Sequence, residues 1–234
     1  MSKRKNTRGT NNSAKLLLAG LLLLLGFTWF LTKAPFENLT IFKASISQTA
    51  FAKEANQKLQ AENNQQVTPL ILQTDEQWAE TEYGFSDNPS SENTLATNGC
   101  GIASLAMVLS YWNNQEVSPL EILSWAQNNY YVADAGTSWQ IFPDFAATYQ
   151  LQYVDLGDDI YAAQAYLEQG LPVIASVTAG EFTQGGHILV LRDWQAEGIA
   201  VNDPNDDPSK NHIEKRYSAE EIADQAIHYW TFTR

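Results

Sequence analysis

Hydrophobic and polar positions along this chain change character twice before a globular pattern sets in. After a basic stretch with Lys3, Arg4, Lys5, Arg8 and Lys15, an apolar run extends from Leu16 to Leu31, interrupted only by Gly20, Gly26 and Thr28. Alone it is shorter than the roughly 20 residues that cross a bilayer. The flanks from Ala14 to Phe36 supply the missing length, and lysines at the margins can snorkel. The pattern predicts a single transmembrane helix over 16–36 behind a basic cytoplasmic segment, 1–15. Positive charge ahead of the run holds that side in the cytoplasm and sends the rest of the chain out. A cleaved signal peptide, which would make the protein secreted, is the rival reading. Against it, Pro35 follows Thr32-Lys33-Ala34 and suits cleavage poorly, while Trp29 and Phe30 resemble an interfacial belt. Residues 37–66 are polar, and the good helix formers of 53–62 carry only a thin apolar stripe, which predicts a solvated stalk.

From Val67 onward the pattern is globular. Leu70-Ile71-Leu72 predicts a short strand, and 86–98, with Pro89 and several Ser and Asn, a long loop. Ile102, Leu105, Ala106, Leu109 and Trp112 recur at helical spacing, so a helix starts near Cys100. Ser118-Pro119-Leu120-Glu121 reads as a capping box opening a helix to about Asn128. Ser138 can cap a third helix that Pro143 limits or kinks. Leu151 to Leu156 alternates like a strand, and Asp158 or Asp159 caps a further helix ended by Gly170. Val- and Ile-rich runs at 172–178, 187–194 and 198–202 predict strands. Ser218-Ala219-Glu220-Glu221 caps a last helix before a closing strand, 227–233. Helices first and strands with short turns afterwards indicate an α+β domain, with N-terminal helices packed on an antiparallel sheet.

Charge narrows the partners. From Val67 to the end there are five basic residues (Arg192, Lys210, Lys215, Arg216, Arg234) against 24 acidic ones. So negative a domain repels phosphate backbones, which argues against nucleic acid. One cysteine and three scattered histidines make no zinc spacing. Asp203, Asp206 and Asp207 lack the glycine and distal glutamate of an EF-hand loop, and no glycine-rich phosphate loop occurs. No metal or cofactor is expected.

The single cysteine is the candidate for chemistry. Asn98-Gly99-Cys100-Gly101 places it at a helix N-terminus, where free N–H groups and the helix dipole favour a thiolate, and flanking glycines would leave the sulfur open to approach. Gly185-Gly186-His187 opens an apolar strand, so His187 stands at a strand edge beside a flexible turn. His212 lies among Lys210, Asn211 and Glu214, a solvated context, and His228 lies within a strand and reads as structural. One hairpin turn beyond the His187 strand, Val201-Asn202-Asp203-Pro204 returns antiparallel to it. Asp203 or Asn202 could orient the imidazole, but neighbouring strand residues face opposite ways, so only one can. A thiol, an imidazole and a carboxylate in this relation form a nucleophilic set, the base ionising the thiol and later protonating the leaving amine.

These residues, together with Gln73-Thr74-Asp75-Glu76-Gln77-Trp78, Tyr83-Gly84, Met107-Val108-Leu109, Gly136-Thr137-Ser138-Trp139 and Gly170-Leu171-Pro172-Val173-Ile174-Ala175, give residues 70–234 a resemblance to the C39-like peptidase family of bacterial papain-fold proteins. The resemblance implies a papain-like cysteine peptidase fold over 67–234, with Cys100 as nucleophile, His187 as base and Asp203 orienting it. It also implies a peptide or protein substrate cleaved at an amide bond, which the N-terminal pattern would place outside the cell membrane. The family uses a glutamine upstream of the cysteine to help hold the oxyanion. Papain-type spacing would place it six residues before the nucleophile, where this chain has Thr94, so Gln73 is the best match and Gln77 the reserve. Many relatives have Pro-Thr where this chain has Ile102-Ala103. That departure motivates an alternative, a catalytically silent surface module that binds peptides or wall polymers. A cell-wall amidase or transferase is a further one. Exporter-attached relatives remove double-glycine leaders. The 234 residues contain no Walker motif or multi-span region, so that substrate is not carried over.

Overall fold

The computed structural model describes residues 48–234 apart from 64–65, 86–91 and 134. Its centre is a six-stranded antiparallel sheet built from β3 (Gln152–Gly157), β4 (Val173–Val177), β5 (His187–Gln195), β6 (Gly198–Asn202), β7 (Arg216–Tyr217) and β8 (Ala226–Thr233). Their order across the sheet is β3-β8-β4-β5-β6-β7. A two-stranded hairpin, β1 (Tyr131–Val132) with β2 (Gly136–Thr137), stands apart from it.

Period-two alternation divides the apolar residues between two cores. Ile174, Ile188, Val190, Trp230 and Phe232 face one of them, shared with α3 (Cys100–Asn113), α4 (Pro119–Ala126) and α5 (Ile141–Tyr149). Val173, Ala175, Val177, Leu189, Leu191, Val201 and Tyr229 face the other, covered by α6 (Ile160–Leu167) and by Ile222 of α7 (Ala219–Ala223). With both faces covered, β4 is buried at every position, which is why 173–177 is apolar at every position but Ser176. Helix α3 is buried throughout from Gly101 to Ser110, as a helix apolar on all sides must be.

The α+β class and the antiparallel sheet match the sequence reading, while several local expectations are corrected. Leu70–Leu72 is not a strand. Its side chains are buried, and its backbone is pinned by Asn56, which accepts from Leu70 N–H at 2.7 Å and donates to Leu70 O at 2.9 Å. Ser118 caps α4 through Leu120 N–H with Pro119 in the first turn, and α4 stops at Ala126. The reciprocal capping box forms at Ser218 and Glu221 instead. Helix α5 starts after Gln140 rather than at Ser138 and carries Pro143 in its first turn, where a missing N–H costs little.

The helix α1 (Gln48–Glu62) is no free-standing spacer, contrary to the stalk expected over 37–66. Ala52, Ala55 and Leu59, at helical spacing, are buried in the first core, and Thr49 donates to Asp75 at 2.7 Å. It belongs to the compact unit Ile46–Arg234, which therefore begins well before Val67. Among the described residues no helix is long and apolar enough to cross a membrane. The anchor expected over 16–36 and the basic segment 1–15 lie outside the described residues.

Candidate active site

Local sequence places the thiol. A short helix α2 (Leu95–Asn98) ends at Gly99, and α3 starts at Cys100. A β-carbon on Gly99 would meet Leu95 O at 2.4 Å, so the tight joint between the two helices requires glycine. A β-carbon on Gly101 would meet the Thr137 side chain at 3.0–3.1 Å. The second glycine thus lets the β1–β2 hairpin close over the start of α3, a packing role rather than the open approach that the sequence suggested. Thr137 is held there by a 2.9 Å bond with the Tyr83 hydroxyl.

The strands bring the other groups. β5 and β6 form a hairpin with Gln195 opposite Gly198, and Asn202 stands opposite Val190. Side-chain alternation then turns Asn202 and Asp203 to opposite faces. Asn202 accepts from Arg192 at 2.7 Å and donates to Thr68 O at 2.9 Å. Asp203 meets His187, with Oδ1 2.6 Å from Nε2. With Nε2 on the carboxylate, Nδ1 is the ring nitrogen left for the sulfur. The Cys100 thiol interacts with the His187 side chain and with the N–H groups of Ile188 and Gly101.

Electrostatics follow from this geometry. Burial works to raise the pKa of Cys100, but the His187 hydrogen bond and charge, with the Ile188 and Gly101 N–H groups, outweigh it and lower the thiol below its ordinary value. Burial works to lower His187, while hydrogen bonds and charge from Asp203 and Cys100 push it up to about 10. Burial opposes ionisation of Asp203, yet bonds from His187, His212 and Asn205 N–H hold its carboxyl well below the usual range. The three groups favour a thiolate–imidazolium–carboxylate alignment.

Cys100 and His187 line a cavity of about 370 Å³, together with Gln73, Asn98, Thr137, Trp139, Ser176 and Asn205. Trp139 is 41% exposed there, its ring 4.9 Å from that of Trp230. Gln73 is buried, with its backbone N–H on Pro204 O at 2.8 Å and its Nε2 on Ala96 O at 2.6 Å. It thereby ties the segment after Asp203 to the helix before Cys100. Gln77 is exposed and does not line this cavity. Thr94 lies outside its walls as well.

His212 requires the largest correction. It is 2% exposed, and its Nδ1 lies 2.8 Å from Asp203 Oδ2. It sits in a 3-10 turn, His212–Glu214, whose His212 and Ile213 N–H groups bond Asp206 at 3.0 and 2.8 Å. The polar neighbours point outward and hide an inward ring. The available signal was the acidic run Asp203–Asp207 just upstream, a source of local acceptors for such a turn. His228, read as structural, bonds Asp155 at 2.6 Å and stacks on Trp230. Among the described residues no group of three or more His, Cys, Asp or Glu side chains could hold a metal ion.

An α+β domain that sets a helix-start thiol against a strand-start imidazole has the layout of a cysteine peptidase. Residues 66–231 match the model of the Peptidase_C39 like family, and the chain belongs to that family. Similar solved structures include a double glycine motif protease from an AMS/PCAT transporter in complex with the leader peptide. It is 21% identical over 57% of this chain and 82% of its own, with a TM-score of 0.41. The peptidase domain of Streptococcus ComA, a bi-functional ABC transporter of a quorum sensing pathway, is 20% identical over 58% and 92%, with a TM-score of 0.45. A protein from Bacillus anthracis described as a C39-like peptidase is 15% identical over 73% and 98%, with a TM-score of 0.43. No curated protein matches the chain.

Proposed function

We propose that this protein is a thiol hydrolase that cleaves amide bonds in peptides or proteins, with Cys100 as nucleophile, His187 as general acid and base, and Asp203 orienting the imidazole. The observation that carries the proposal is the continuous alignment of Cys100 and His187, at the wall of one cavity, with the buried Asp203 behind the imidazole. The thiolate sulfur attacks the carbonyl carbon, and the carbonyl π electrons move onto oxygen. When that oxyanion collapses, the C–N bond breaks and the amine leaves with the proton from His187 Nδ1. Water then gives a proton to the neutral imidazole as its oxygen attacks the thioester. The second oxyanion collapses, the C–S bond breaks, the acid departs and the sulfur leaves as the thiolate beside the imidazolium, the starting state. Basic residues ahead of the apolar run at 16–31 support a placement of this chemistry outside the membrane, on an anchored chain. The acidic excess of 67–234 favours neutral or basic peptides over acidic ones.

Gln73 is the proposed oxyanion donor, beside the Cys100 N–H at the head of α3. Its Nε2 carries two hydrogens, and the bond to Ala96 O takes one. The Ala96 carbonyl also fixes which way the amide points, since the reverse orientation would set two oxygens against each other. Gln73→Ala is expected to lower kcat by about 10²–10³-fold with little change in KM, the cost of one oxyanion donor. Steady-state kinetics on a cleaved peptide checks this. An equal change in both parameters would instead mark Gln73 as a wall of the cavity.

Reactivity of the thiol tests the proposal without a known substrate. The reactive thiolate–imidazolium pair exists above the lowered pKa of Cys100 and below the raised pKa of His187, at about 10. Alkylation of the single cysteine by iodoacetamide is therefore expected to rise at lower pH than that of an ordinary thiol and to hold its plateau up to the raised pKa of His187. A silent binding module would show the ordinary rise of a free thiol, with a midpoint of about 8.5. That profile, found in the folded full chain, would overturn the assignment.

A further inference from the structure

Asp203 has two carboxylate oxygens, and each meets a different imidazole. Oδ1 bonds His187 Nε2 at 2.6 Å and Oδ2 bonds His212 Nδ1 at 2.8 Å. All three side chains are buried, Asp203 completely. A carboxylate so far from water is costly unless donors reach both oxygens. Its terminal torsion is also soft. Held only through Oδ1, by His187 and by the Asn205 N–H at 2.8 Å, it could turn about that oxygen and carry the ring of the base away from the sulfur.

His212 is built to prevent that. The Asp206 carboxylate grips the His212 and Ile213 N–H groups, and Phe182 meets the imidazole edge-on at 5.2 Å, with Tyr217 at 6.4 Å. The ring therefore has little freedom beyond the pose that aims Nδ1 at Asp203. On its far side Nε2 stands 3.9 Å from Glu181 Oε1, and Glu181 pairs with Lys215 at 3.0 Å. The titratable and charged groups that face the ring are thus Asp203, Asp206, Glu181 and Tyr217, with Glu214 and Lys215 on its own turn. His212 is not a wall of the Cys100 cavity, so it reaches the sulfur only through Asp203 and His187.

We propose that His212 is a positioning residue of the thiol site: it anchors one oxygen of Asp203 so that the other keeps His187 bound through Nε2, with Nδ1 on Cys100. The proposal rests on the reading of Cys100 as nucleophile. A histidine that merely filled the core would leave the titration of a thiol two residues removed in the chain of contacts unchanged.

The experiment is the pH profile of iodoacetamide alkylation on the full chain, for wild type and for His212→Asn, His212→Gln and His212→Phe. The amide nitrogen of asparagine replaces Nδ1, that of glutamine falls where Nε2 was, and phenylalanine keeps the ring without a donor. His212→Asn is expected to retain the wild-type profile. In His212→Gln and His212→Phe the acid limb should move up by about one pH unit, so that alkylation below the limb slows about tenfold. A folded glutamine or phenylalanine variant with the wild-type profile overturns the proposal. If phenylalanine does not fold, asparagine against glutamine decides alone, and equal profiles from those two overturn it. A wild-type profile with the midpoint of an ordinary thiol overturns the nucleophile reading itself and the role of His212 with it. Loss specific to the two variants, with a normal wild type, keeps the two failures apart.

Discussion

Cys100→Ala is expected to remove amide hydrolysis by a factor on the order of 10⁴–10⁶, the loss seen when the nucleophile of a triad is deleted, while the fold stays intact. The two halves of that expectation have separate physical reasons. Loss of the sulfur removes the only cysteine in the chain, and no second thiol can substitute. Stability is spared because alanine is an excellent residue for the first turn of a helix. The deletion also removes a thiolate that burial penalises, although it leaves His187 with one partner fewer. The measurement is peptide turnover by the purified chain alongside a urea melt. Turnover that survives in Cys100→Ala, on a substrate the wild type cleaves, would assign hydrolysis to another group and end the proposal.

The elements of the site that could be read from sequence are the ones set by local rules. A lone cysteine ahead of an apolar 3.6-residue period must start a helix, and α3 does begin at Cys100. A Gly-Gly pair before Ile188–Leu191 must open a strand, and β5 does begin at His187. The hairpin that places Asp203 beside it follows from the turn at Gly198 and from the two apolar runs that flank it. What escaped was set by tertiary contact. His212 sits in a polar stretch, and its burial depends on Phe182, which arrives from another part of the chain, and on Tyr217 in the strand that follows. Helix α1 has a thin stripe of Ala52, Ala55 and Leu59, too weak to predict packing. It buries because the backbone of Leu70 and the side chain of Asp75 give Asn56 and Thr49 partners. Leu70–Leu72 has strand composition but no strand beside it, so side-chain bonds complete its backbone. Strand order is likewise invisible to periodicity: β8, last in the chain, pairs between β3 and β4.

Asp203→Ala tests how much of the site a single carboxylate holds together. Both histidines bond it, and its hydrogen bond and charge, together with those of Cys100, allow His187 to sit protonated at a pKa of about 10. Removing it takes an acceptor from each of two buried imidazoles, and His187 keeps only the Cys100 thiolate as a counter-charge. Breaking a buried pair by deleting one partner costs about 3–5 kcal/mol, which urea unfolding near neutral pH should show. The sign of the pH effect follows from the same bond. A base that no longer has Asp203 falls back from its raised pKa and stabilises the thiolate less, so the acid limb of Cys100 alkylation moves up while the alkaline limb moves down. The window in which sulfur and imidazole are oppositely charged narrows from both ends. Peptide hydrolysis should then fall by about 10²–10⁴-fold, near the loss that accompanies a misoriented imidazole in a triad. Asp203→Asn separates the two contributions, because its carbonyl oxygen can still accept from His187 while the charge is gone. It should keep the ring aimed and lose the widened window. If the alanine variant, still folded, alkylated with the wild-type pH profile, the carboxylate would be a structural bond between two strands, and the alignment at Cys100 would need another source of basicity.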